Sequence, residues 1–497
     1  MANSANIDMD AEVQRHLALV LSSTHLTADG PSSDPIIYRL QAIGNAPIFS
    51  RMIKEGVRKF ETNDPTFPVY GHLGLRLATY GEGSVKEEKQ AKDNLVYANI
   101  NAPWSAFICG SQGAGKSHTL SCILESALIS DGNLGPNTNP LASILFHYDK
   151  HAGQAAGQIC EAAYLASKGI DVEIFVSPSN LWAMQTLYNL PGIPKEKQPR
   201  VRPLLLRDKQ INIANMRALM NIDSNDGKAP LYMAVVNKIL RNMAIDRQGT
   251  TGLDYKRFKQ DLAASQLTPS QSEHLNMRLQ LLESFLHRSA RNSLQQLAGE
   301  GFGPRAGALT IVDLSCPFVT AGDACMLFSI CLSLFLGSRN THGLLIALDE
   351  AHKFLTDHNE AQSFTEDLVQ VIRQQRHQAA RVIIATQEPT LSPNLLDLCN
   401  VTIVHRFESQ AWYTALKNHL AALSSRNEND EVFRRIVDLE NGEALLFCPT
   451  AYLDADDPFE ISTLRPLRSG YIKLRVRKRV TEDGGRSIMA TARTSSL

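Results

Sequence analysis

Gly110-Ser111-Gln112-Gly113-Ala114-Gly115-Lys116-Ser117 fills the spacing G-x-x-x-x-G-K-[ST], and the rest of the chain is read outward from it. Glycines at these positions let the backbone curl so that successive N–H groups point inward, a shape that holds phosphate oxygens. Lys116 adds a mobile positive charge, Ser117 offers a hydroxyl to Mg²⁺, and His118 closes the stretch at the start of a helix whose dipole favours anions. The flanks agree with this reading. Residues 106–109 are a continuous apolar run of the kind buried on both faces of a parallel sheet, and residues 118–129 read as an apolar-rich helix. A nucleoside triphosphate, ATP, with Mg²⁺ is the expected ligand.

The chain has 497 residues, enough for two or three domains at about 150 residues each. Fifty Lys and Arg against 51 Asp and Glu leave a formal net charge of −1. No global attraction toward nucleic acid or an acidic membrane follows, so any nucleic-acid contact must come from a local patch. Eight cysteines are scattered without a C-x-x-C pair, several inside apolar runs, which reads as reduced thiols and a cytoplasmic or nuclear location. The N-terminus lacks the basic and apolar regions of a signal peptide. The most apolar stretch, 324–336, is too short to span a bilayer and reads as a buried helix, so no membrane role is expected.

Residues 1–35 read as a mobile arm with one helix candidate at 11–21, and 36–95 as a mostly helical segment. Residues 96–206 form the first part of the phosphate-loop core, with further strands expected at 143–148 and 170–176. Residues 207–305 carry helical periodicity, for example at 233–244 and 275–286, and read as a helical insertion. Strand patterns return at 308–314, 344–348, 381–385 and 401–404 within a second core part, 306–450. Residues 451–497 read as a basic strand or hairpin tail. Strands alternating with helix-length spacers predict an α/β fold with a doubly wound parallel sheet.

The strand at 344–348 ends in Asp349-Glu350, the form of a Walker B element. Asp349 would hold Mg²⁺ together with Ser117, and Glu350 would polarise the attacking water; the second acid favours hydrolysis over binding alone. The next strand ends at Gln387, placed to bond the γ-phosphate or its water. Arg376 on the preceding helix and Arg406 after the following strand are each able to enter a neighbouring subunit's site as a finger.

Together these residues resemble the HerA/FtsK superfamily of ring-forming DNA-pumping ATPases, within it the HerA-like branch. The carriers are residues 110–117, Asp149-Lys150-His151-Ala152-Gly153, Thr310-Ile311-Val312-Asp313-Leu314-Ser315, Asp349-Glu350-Ala351-His352, Ala385-Thr386-Gln387-Glu388-Pro389, Val404-His405-Arg406 and Leu439-Glu440-Asn441-Gly442-Glu443-Ala444. The resemblance covers about residues 96 to 450. It implies a RecA-like core, usually a hexameric ring of identical subunits, ATP at the interfaces, Glu350 as base, Gln387 as sensor, an arginine acting in trans and double-stranded DNA as the polymer moved. Three departures stand out. Gly153-Gln154 replaces a frequent Gly-Glu, Glu388 stands where an Arg is common, and the N-terminal part shows no run of short strands for a small β-barrel. Asp349-Glu350-Ala351-His352 also spells the box of a helicase class. Those helicases need a Ser-Ala-Thr element and a second RecA-like domain, for which too little chain follows.

The strongly basic feature is residues 472–480, whose alternation puts Ile472, Leu474 and Val476 on one face of a strand and Lys473, Arg475 and Arg477 on the other. Gly484-Gly485 would turn it into a hairpin. The basic face suits DNA phosphates, a neighbour's acidic site or the protection of an edge strand by charge. The run Lys256-Arg257-Phe258-Lys259 is a weaker candidate. The motor reading leads, and a nucleotide-controlled switch or scaffold that moves no polymer is the alternative.

Overall fold

The computed structural model describes residues 35–61, 64–81, 91–130, 132–150, 159–207, 210–211, 216, 231–246, 253–265, 267–286, 302–337, 342–356, 359–389, 391–420, 429–456 and 460–482. The expected arm up to residue 34, His151 to Gly153 and the Gly484-Gly485 turn lie outside these residues.

Eight strands form a parallel block. They are β4 (Ser105–Cys109), β5 (Ala142–His147), β6 (Asp171–Val176), β7 (Arg200–Pro203), β8 (Ala308–Asp313), β9 (Leu344–Leu348), β10 (Ala380–Thr386) and β11 (Val401–Val404). Their order is β11-β4-β10-β9-β5-β8-β6-β7. Side chains alternate between two layers, as a strand's period of two requires. Ala106 and Ile108 face the phosphate-loop helix Lys116–Leu128, packing with Leu120, Ile123 and Leu124. Phe107 faces the other side, where Phe146 meets Phe328 and Phe364 with ring centroids 4.9 and 5.6 Å apart. Those rings come from the helices Ala321–Gly337 and Asn359–Arg373, the first of them the buried apolar helix expected from sequence. Helices on both faces explain why the central strands are largely apolar, while β7 at the edge carries Arg200 and Arg202.

The sheet continues past β11 through antiparallel strands: β12 (Glu443–Phe447), β15 (Tyr471–Val476), β2 (Tyr70–Tyr80), β3 (Leu95–Asn99) and β1 (Ile48–Ser50). The pair β13 (Tyr452–Ala455) and β14 (Leu464–Pro466) completes it. This corrects the reading of 36–95 as mostly helical. Two helices, Pro35–Gly44 and Arg51–Val57, are there, but so is the eleven-residue β2. Its Gly71 and Gly74 look like breakers in sequence, yet both are needed for close approach. A Cβ on Gly71 would lie 2.1 Å from Ser126 Cβ of the phosphate-loop helix, and one on Gly74 would lie 2.2 Å from the Arg475 carbonyl oxygen.

The basic C-terminal strand also differs from expectation. β15 is paired on both sides, with β12 and β2, so it is not an edge, and its two neighbours are distant in sequence rather than across a terminal hairpin. The expected alternation holds for the buried Ile472, Leu474 and Val476.

Between β7 and β8, the helices Leu231–Asp246, Tyr255–Ala263 and Pro269–Ser284 occupy the expected insertion. It leaves and returns at one place, where the Leu206 amide donates to the Phe285 carbonyl at 2.7 Å. All eight cysteines are free thiols, seven buried and Cys399 partly so. Among the described residues no helix is long and apolar enough to cross a membrane.

Candidate nucleotide site

All the motif residues on the parallel block that are described, apart from Arg376, converge on one edge because each follows the C-terminal end of a parallel strand, where open α/β sheets bind ligands. The phosphate loop leaves β4 and enters its helix with Gly110, Gly113 and Gly115 at φ +152°, +76° and +112°. Gly110 has a second reason to be glycine, since a Cβ there would lie 2.6 Å from His405 Cβ. His405 is fully buried beneath the loop. Its Nε2 lies 2.9 Å from Thr119 Oγ1 and its Nδ1 lies 2.9 Å from the Glu443 carbonyl oxygen. Burial, reinforced by Lys116 and His118, pushes its pKa down to about 4, and the bond to Glu443 only partly opposes this. The imidazole is therefore a neutral support.

Ser111 donates from both its amide and its hydroxyl to the Arg406 carbonyl at 2.9 Å, tying the loop to the end of β11. Gln112 and Gly113 at the tip are exposed, while Ala114 is buried. Lys116 is 5% exposed and donates to the Ser111 carbonyl at 3.0 Å across the loop. Burial lowers its pKa, and the charges of Glu350 and Asp349 oppose that shift. His118 points away from the loop, its Nε2 2.8 Å from the Arg477 carbonyl oxygen, so it holds the C-terminal segment and faces no phosphate.

Ser117 donates to Asp349 Oδ1 at 3.4 Å, the hydroxyl–carboxylate pair expected for Mg²⁺. A half-buried hydroxyl at a helix start facing a buried carboxylate is a donor set of hard oxygens that fits the ion. Burial raises the Asp349 pKa, with His147 pulling it back. Glu350 is 6% exposed and sits in the left-handed region, at φ 52° and ψ 44°, a conformation rare for a non-glycine residue and frequent at functional sites. Its Oε2 accepts from Gln387 Nε2 at 3.1 Å and lies 3.3 Å from His352 Nδ1. Lys353 pairs with Asp149 at 3.1 Å, which brings the strand-end acid after β5 to the same cleft.

The strand carrying Gln387, β10, lies between β4 with the phosphate loop and β9 with the acidic pair. This order sets a polar residue between the phosphate cradle and the carboxylates. The chain has a RecA-like P-loop NTPase core.

Not every expected residue joins this P-loop core's cleft. Arg406 is exposed at the same edge, next to the loop it anchors. Arg376 is exposed at the opposite edge, in the short helix Gln375–Gln378 that precedes β10. The basic candidates for DNA contact are engaged within the chain. Lys473 and Arg475 pair with Glu443 at 2.7 and 2.8 Å, and Arg475 also reaches Glu440 at 2.9 Å. Arg477 makes a buried pair with Glu125 at 2.6 Å. In the insertion, Lys259 pairs with Glu283 at 2.8 Å and Arg257 with Asp246, while Phe258 is core. Sequence reading quoted His352 and His405 within motifs but gave them no role, and it did not single out His147, whose place at a strand end is too common a position to mark it.

No protein-family model and no curated protein matches the chain. Similar solved structures include VirB4 of Thermoanaerobacter pseudethanolicus, at 13% identity over 82% of this chain and 97% of that one, with a TM-score of 0.46. The bacterial conjugative coupling protein TrwBdeltaN70 is 13% identical over 80% and 96%, with a TM-score of 0.39. The genome packaging NTPase B204 from Sulfolobus turreted icosahedral virus 2, in complex with ATP-gammaS, is 7% identical over 69% and 91%, with a TM-score of 0.28. The fold of this chain rests on its own strand order and loop positions.

Proposed function

We propose that the chain hydrolyses ATP with Mg²⁺ and works as a ring-forming motor of the HerA/FtsK type that translocates double-stranded DNA. The observation that carries the hydrolysis reading is the pairing of Glu350 with Gln387 at 3.1 Å, at the edge where Lys116, Ser117 and Asp349 meet. In this reading the loop amides of residues 110–115 and Lys116 hold the phosphates, and Ser117 and Asp349 hold the ion, directly or through water. Mg²⁺ when bound neutralises charge on the β- and γ-oxygens. Glu350 orients and deprotonates water, and Gln387 links that carboxylate to the γ-phosphate. Arg406, exposed at the nucleotide edge, is the better placed finger for a neighbouring subunit; Arg376 would require neighbours packed through the opposite edge. DNA as the polymer rests on the motif resemblance.

The alternative, a nucleotide-controlled switch or scaffold, is favoured by the internal pairing of Lys473, Arg475 and Arg477, which leaves the basic strand committed to its own fold. Steady-state ATP hydrolysis across protein concentrations, with and without double-stranded DNA, separates the two. A motor shows turnover that rises with assembly and again with DNA. Turnover indifferent to both sinks the motor and leaves the switch.

A further inference from the structure

Behind the acidic pair lies a cluster in which Asp349 is joined by two side chains that the nucleotide chemistry does not use. His147 ends β5, Asp349 follows β9, and Cys160 precedes the 3-10 helix Glu161–Lys168. The three are 1%, 5% and 0% exposed, and one ligand atom from each lies within 4.8 Å of the other two. His147 is the anomaly. Neither of its ring nitrogens has a hydrogen-bond partner among the described residues, and its Nδ1 stands 3.7 Å from Asp349 Oδ2, beyond bonding distance. A buried polar group left unpartnered is costly, so an apo arrangement of this kind asks for a ligand.

We propose that His147, Cys160 and Asp349 form a second divalent-metal site, selective for Zn²⁺, on the face of the Walker B carboxylate turned away from the phosphate loop. Imidazole and thiolate select zinc, whereas Mg²⁺ takes oxygen ligands. Three protein ligands with a fourth position for water is a common zinc arrangement. Bonds of about 2.0–2.3 Å set tetrahedral ligands about 3.3–3.8 Å apart, so the side chains close on the ion with shifts on the order of an ångström. The charges also balance: a thiolate and a carboxylate offset the two positive charges in a buried space, with the imidazole neutral.

The site has a consequence that rests on the ATPase reading. Asp349 turns Oδ1 toward Ser117 and Oδ2 toward His147, so one carboxylate faces both ions. Zinc on Oδ2 draws charge from the magnesium side and brakes hydrolysis.

The test uses the full chain, stripped with chelator and titrated with Co²⁺ as a spectroscopic stand-in. A thiolate-to-cobalt charge-transfer band that saturates at a single equivalent, is displaced by Zn²⁺ but not by excess Mg²⁺, and disappears in Cys160→Ser and His147→Gln is the expected result. A spectrum without that band, or a band that survives Cys160→Ser, overturns the site. X-ray absorption of the zinc-loaded wild type needs no variant. One sulfur neighbour at about 2.3 Å supports the site, and a sulfur-free shell refutes it. Zinc inhibition of ATP turnover that is lost in Cys160→Ser supports the brake. Sulfur-bound zinc in a protein that hydrolyses no ATP upholds the site and contradicts the proposed function instead.

Discussion

Lys116, at the start of the helix Lys116–Leu128, and Arg477, packed against its flank, are both buried cations, and they are satisfied very differently. Among the described residues Lys116, at the helix start, makes one side-chain hydrogen bond, to the Ser111 carbonyl, and has carboxylates near it but none in ion-pair contact. Arg477 grips the helix flank. It pairs with Glu125 at 2.6 Å and donates to the carbonyls of His72, Cys122 and Lys478. Glu125 in turn accepts from the amides of Val480 and Thr481 and from the Thr481 hydroxyl. Burial alone would raise the Glu125 pKa, but the bonds from Thr481 and Arg477 outweigh it and hold the carboxyl below its usual range. A cation with its partners already in place holds the fold together; one left short of partners is free to meet an anion that arrives. A basic residue's function is thus read from what it lacks.

The sharpest way to break this contrast is Arg477→Ala. Removing one member of a buried pair strands Glu125, and the expected loss is about 3–5 kcal/mol of unfolding free energy in a denaturant titration. A loss below about 1 kcal/mol, comparable to an exposed pair, would show that the two cations are not different in kind.

The next effect is pH-dependent and concerns the support under the loop. With a folded pKa of about 4 against the usual 6.5 of a histidine, His405 is protonated more readily in the unfolded chain. Its stabilising contribution is complete above about pH 6.5 and is lost as pH falls toward 4, about 3 kcal/mol in all. Stability measured between pH 7 and 4 should fall less steeply in His405→Gln than in the wild type. Equal slopes would mean that the buried imidazole is not held neutral.

Lys116→Ala gives the smallest stability change, within about 1 kcal/mol, since one hydrogen bond and little packing are lost. ATP binding measured by calorimetry should nevertheless disappear. A large destabilisation with binding retained would reverse the roles assigned to the two cations.

Sequence made the parallel block legible, apart from the edge strand β7, because its strands are short apolar runs buried on both faces; β9 and β11 appear at the residues expected, and β4 within one. The phosphate loop and the acids at 349 and 350 were equally plain, since their spacing is local. The antiparallel extension was hidden for the opposite reason. β2 carries glycines that make sense only against Ser126 and Arg475, and no local pattern reveals a partner about 400 residues away. The basic strand was read with the correct alternation as far as Val476, but Arg477 lies buried beyond its end, and the acids that meet its cations come from Glu443, Glu440 and Glu125 in other parts of the chain. Periodicity gives the faces of a strand and says nothing of what covers them.

The central claim is that Glu350, held by Gln387, activates water against bound ATP. Single-turnover hydrolysis by Glu350→Gln beside the wild type, with ATP binding measured on the same samples, tests it most directly. A positioned base contributes about 10²–10⁴-fold, so the account predicts a rate loss of that size with ATP affinity unchanged. A variant that binds ATP and hydrolyses it at the wild-type rate would contradict it.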